Sequence, residues 1–146
     1  MPDQPPTPKL TTTLTISLAQ HLHGTSVLPT LERNWSKAAT PDQRARFEPR
    51  HFDLDPTDEP DPERGVPALK RALQGTKWDG VLIGWCLRGS KEYTPVFERV
   101  VGVVVGEVVR RRVEGSQGGE DGGMRVMFCE GPDDLVNATL RTFGDS

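Results

Sequence analysis

Tyrosine occurs once, cysteine twice and histidine three times in these 146 residues, and aromatics make up 6% of the chain. Two cysteines, Cys86 and Cys129, cannot build a disulfide framework, and a reducing compartment keeps them as thiols. No apolar run approaches the roughly 18 residues of a membrane span. The start, Met1 to Lys9, is rich in proline and has no hydrophobic signal core. A cytoplasmic protein with no membrane partner is expected. Neither sign of charge dominates: 18 Lys and Arg against 21 Asp and Glu leave a net charge of −3. The field that draws a domain to phosphate backbones is missing, so nucleic acid is not an expected partner.

The common catalytic signatures are missing as well. There is no Gly-x-Gly-x-x-Gly, no phosphate loop ending in Gly-Lys-Ser/Thr, no Gly-x-Ser-x-Gly and no His-Glu-x-x-His. Glu92 stands six positions after Cys86, where a tyrosine-phosphatase loop needs arginine. No cofactor is named by the sequence, and whether the chain is an enzyme stays open.

What the chain does have is punctuation, with 15 glycines and 13 prolines gathered in a few stretches. Residues 1–9 read as a disordered tail, and 10–146 as a single α/β domain with flexible loops near 55–63 and 115–123. From Thr11 to Ala19, Leu14, Ile16 and Leu18 alternate with Thr and Ser, the period of a strand. A polar loop, Gln20 to Ser26, leads to a helix with Leu28, Leu31 and Trp35 that Pro41 interrupts. A short second strand is expected at His51 to Asp55, and a helix from Gly65 to Gln74. Trp78 to Leu87, around Val81-Leu82-Ile83, reads as a strand buried on both faces.

Thr94 to Val113 is rich in valine, yet Phe97, Val100, Val101, Val104 and Val108 share one helical face and Arg99, Gly102, Gly106 and Arg110 the other. The period predicts a helix, with Thr94 as N-cap and Pro95 in its first turn. Met124 to Cys129 is the fourth strand and Asp133 to Phe143 the last helix. Alternating strands and helices imply a four-stranded parallel sheet, order 2-1-3-4, with helices on both faces, a reduced flavodoxin-like arrangement. Ligands of such sheets bind beyond the carboxyl ends of the strands, at the switch point between strands 1 and 3.

Three stretches carry a family likeness. Asp79-Gly-Val-Leu-Ile-Gly84-Trp-Cys-Leu-Arg88, then Phe97-Glu98-Arg-Val-Val, then Phe128-Cys-Glu-Gly-Pro132-Asp-Asp134 together resemble small single-domain α/β proteins of bacteria and fungi to which no activity is assigned. The likeness spans roughly Phe47 to Phe143. It implies the fold and a strand ending in Gly-x-x-x-Arg before a Phe-Glu helix. The chain departs from it at Cys129-Glu130, where the group tends to have Asn-Thr, and in its long Gly-rich insertion.

Arg88 leads the candidate ligand-binding residues, with Ser90 and Lys91 beside it ahead of a helix N-terminus, where an anion would be held. The structural alternative is an Arg88–Glu98 ion pair. His21, His23 and Gly24 lie in the first loop at the same edge. His21, His23, Cys86 and Cys129 could converge on zinc, but cysteine is often simply buried, and no metal is assigned. The acidic run Asp53 to Glu63 is read as a solvated loop. The expected function is binding of a small anionic or phosphorylated ligand. The alternative is a non-enzymatic homodimeric interaction module joined through the helix carrying Gly102 and Gly106.

Overall fold

The computed structural model describes residues 10–114 and 123–143. The proline-rich start and most of the expected Gly-rich loop lie outside the described residues. Four parallel strands form one sheet in the order β2-β1-β3-β4, where β1 is Thr11–Ser17, β2 Phe47–Asp53, β3 Gly80–Ile83 and β4 Arg125–Phe128. The expected α/β class, parallel sheet and strand order are therefore those of the protein. β1 pairs with β2 from Thr11 opposite Phe47 to Ser17 opposite Asp53, and with β3 from Thr13 opposite Gly80.

Side chains of the central strands alternate between two cores. Leu14, Ile16, Val81 and Ile83 pack beneath α4 (Val66–Gly75), α5 (Trp85–Gly89) and α6 (Thr94–Glu114), with Leu69, Leu73, Leu87, Val96, Val100 and Val104. Leu82, Met127 and Phe47 face α2 (Leu28–Ala38) and α7 (Leu135–Phe143), with Leu31, Trp35, Leu135 and Val136. Asn34 Oδ1 accepts the Val136 N–H at 3.1 Å and ties α2 to α7. Two short helices, α1 (Ala19–His23) and α3 (Pro41–Ala45), complete the order.

Four boundaries differ from the sequence reading, each for a local reason. The stretch from Gln20, expected as loop, opens with α1, which Gly24 ends in the left-handed conformation at φ 76° while its N–H returns to Gln20 O. The second strand begins four residues earlier than His51. It lies at the edge of the sheet and pairs only with β1, so Pro49 costs it no inner ladder bond. The third strand is only Gly80–Ile83; Gly84 turns the chain and Trp85 to Gly89 coil into α5. Thr94 is already helical, at φ −53° and ψ −45°, because a 3₁₀ turn at Lys91–Tyr93 runs straight into α6. It is not the N-cap.

The far end of α6 is anchored by charge. Glu107 is buried and accepts hydrogen bonds from Arg110 and Arg111. Arg111 also donates to the carbonyls of Leu73 (2.7 Å), Trp78 (3.1 Å) and Thr76. Leu73 O and Thr76 O belong to the end of α4, where carbonyls have no partner within the helix, so one guanidinium closes α4 and fastens α6 to it.

Candidate functional site at the carboxyl edge of the sheet

β1 and β3 end side by side, and Gly84 sits where they part. Its N–H donates to Ile16 O at 2.9 Å, and a Cβ there would lie 2.8 Å from that same oxygen. Only glycine lets the chain cross so close to β1 before α5 begins. Helical spacing then sets Trp85 and Arg88 one turn apart, with Gly89 so close beneath the indole that a Cβ would lie 2.9 Å from it.

Arg88 is exposed, yet held from three sides. Its Nη2 donates to Cys129 O at 3.0 Å, and its guanidinium carbon lies 5.5 Å from the Trp85 ring centroid and 5.6 Å from that of Phe128. The Phe128 ring is itself 6.4 Å from Phe97 on α6. Trp85 and Phe128 are 41% and 39% exposed, large for aromatic side chains at a strand end. Cation–π contacts fix a guanidinium without occupying its N–H groups. Among the described residues, Arg88 has no carboxylate partner: the alternative pair with Glu98 does not form, and its hydrogen bond uses Nη2 alone.

The other predicted residues are placed around this centre unevenly. His21 meets Tyr93 edge to face at 6.1 Å, which brings α1 against the turn that begins with Lys91. Burial, with the nearby Glu92 and Cys86, pushes the Tyr93 hydroxyl above its ordinary pKa. Ser90 is extended and accepts the Tyr93 N–H through its carbonyl. Lys91 and His23 are exposed, and Gly24 serves as the cap of α1. Cys86 is half-buried and free; Cys129 is buried, and that burial raises its thiol pKa even though the backbone N–H groups of Trp85 and Gly131 bond to it. Among the described residues no three His, Cys, Asp or Glu side chains gather to hold a metal ion, so His21, His23, Cys86 and Cys129 do not converge.

Two carboxylates at this edge are engaged within the fold. Asp53, at the end of β2, accepts Ser26 Oγ and the Val27 N–H, both at 3.3 Å, and so holds the entry to α2. Asp134 takes a two-pronged bond from Arg141, which holds its carboxyl below the ordinary range, and also accepts the Glu130 N–H. In the acidic loop Asp55 accepts the N–H groups of Asp61 and Thr57, chiefly the former lowering its pKa to about 2. Asp53 and Asp134 thus already have partners at the edge that carries Arg88 and Lys91, whereas the exposed Glu92, Glu98, Glu130 and Asp133 form no ion pair among the described residues. Three open clefts of about 480, 560 and 570 Å³ lie elsewhere, between α2 and α3, between α4 and α6, and at the amino edge by Asp79.

Trp85 and Phe128 were not among the residues singled out from sequence. Their signals are the Trp85-x-x-Arg88 spacing and the strand alternation that buries Met127 and turns Phe128 outward. No helix of the described residues is long and apolar enough to cross a membrane. Comparison with protein-family models, with curated proteins and with solved structures found no match.

Proposed function

We propose that the domain binds a small anionic or phosphorylated ligand over the carboxyl ends of β1, β3 and β4, with Arg88 as its anchor. The observation that supports it is the state of that one side chain: an exposed guanidinium held by two aromatic rings and a carbonyl, with no carboxylate partner among the described residues. An oxyanion there receives a charge-assisted pair of hydrogen bonds from a group that is already oriented. Lys91, Ser90 and His21 flank it and would add charge and donors, while His23 and Gly24 border the ligand from the end of α1. Two free thiols support a cytoplasmic setting. Self-association through α6, the alternative reading, uses a different surface.

The test is a thermal-shift and calorimetric titration of the full chain with inorganic phosphate, pyrophosphate, a nucleoside monophosphate and the matching neutral nucleoside. Phosphate-bearing probes should stabilise the protein in a salt-dependent way, and Arg88→Gln should remove the effect. Stabilisation by the neutral nucleoside alone, or an unchanged response in Arg88→Gln, would overturn the reading.

A further inference from the structure

The outward face of α6 is apolar where a helix of a single domain is ordinarily polar. Val105, Val109 and Val113 are 46, 55 and 70% exposed, and they fall on one stripe with Gly102 and Gly106. Single exposed valines are common, but a continuous stripe along a 21-residue helix is a surface that asks for a cover. Both glycines border the cleft between α4 and α6, yet among the described residues a Cβ at either would meet nothing within 4 Å, so packing does not require them, and glycine weakens a helix interior relative to alanine.

Charge says what the cover is. Glu98, near the start of the stripe, and Arg112, near its end, both flank it and are exposed. Among the described residues neither has an ion-pair partner. They are too far apart on one helix to meet, about 21 Å at 1.5 Å per residue. Read as a heptad, Gly102 and Val109 with Arg99, Gly106 and Val113 fill the two inner positions, and Glu98, Val105 and Arg112 form a single flank. In an antiparallel pair of identical helices, equivalent flanks meet. The register that sets Gly102 against Gly106 of a second copy also brings Glu98 beside that copy's Arg112, twice by symmetry. In a parallel pair the clusters Arg110-Arg111-Arg112 would lie side by side and repel.

We infer that α6 is a self-docking surface on which a second copy of this chain packs its own α6 antiparallel, glycine against glycine, with two Glu98–Arg112 ion pairs at the ends. The pairing is isologous, as a two-fold dimer requires. One helix face is small for a specific interface, so the dimer forms in the micromolar range.

Sedimentation of the full chain between about 1 and 200 μM tests it, and the mass should rise from monomer to dimer across that range. Glu98→Arg should weaken the dimer about tenfold or more, and adding Arg112→Glu should restore it to within about threefold, because the exchanged charges can meet only between copies. Gly106→Leu should abolish the dimer while the circular dichroism spectrum stays native. In a Cys86→Ser background, Val105→Cys should cross-link to its own copy and Val113→Cys should not. A chain that stays monomeric throughout, as when its own residues 1–9 cover the stripe, overturns the proposal, and so does a charge exchange that fails to restore pairing or a cross-link at 113.

Discussion

Two arginines at opposite ends of α6 show how differently one side chain is used in this fold. Arg111 is largely buried and has its donors taken by Glu107 and three carbonyls from the end of α4 and the turn after it. Arg88 sits beside the start of α6, exposed, with one carbonyl and two rings holding it. A guanidinium with four of its five N–H donors matched is part of the framework, and removing it leaves buried acceptors unpaired. A guanidinium that is oriented but incompletely matched is free to take a ligand. Partner count and burial, rather than the presence of an arginine, separate the two roles.

The largest effect should come from breaking the framework end. Arg111→Ala should cost about 3 kcal/mol or more in urea unfolding, since Leu73 O, Thr76 O and the buried Glu107 all lose a partner. Arg111→Lys should recover only part, because an ammonium cannot reproduce the planar fork. Next, Gly84→Ala should cost about 2 kcal/mol by forcing a methyl group onto Ile16 O, and should disturb the Arg88 end by shifting α5.

Glu107→Gln should cost about 2 kcal/mol at neutral pH and also flatten the acid response. The hydrogen bond from Arg110, followed by that from Arg111, holds the Glu107 carboxyl below its ordinary value of 4.5. Its contribution is therefore complete above that value and fades as pH falls through the lowered one, and the glutamine variant should lack this part of the fall. The smallest effect on stability should be that of Arg88→Ala, under about 1 kcal/mol, as for exposed cation–π contacts.

Much of the fold was legible because parallel strands must alternate with helices, and valine at helical spacing outweighed its strand propensity in α6. β2 was placed four residues late because only His51 to Asp55 alternates visibly, while Pro49 lies within the strand and is harmless there through the strand's place at the edge. α5 was hidden in an apolar run that period alone cannot divide; Gly84 was the available marker. At the proposed site, Arg88 was singled out as the end of a strand, whereas it lies in α5, one turn beyond β3. Its aromatic brace was not legible, since Phe128 comes from a strand 40 residues away. The Glu107–Arg111 anchor was missed although its spacing of four, on the side of α6 that carries Val100 and Val104, was visible in the sequence.

In the proposed function Arg88 is held for a ligand, whereas Arg111 is held for the fold. Parallel melts of the native chain, Arg88→Gln and Arg111→Lys, each with and without pyrophosphate, test it most directly. Arg88→Gln should melt near the native temperature and show no shift with pyrophosphate, whereas Arg111→Lys should melt several degrees lower and still shift. An Arg88→Gln protein that melts as low as Arg111→Lys, or that keeps the pyrophosphate shift, would contradict it.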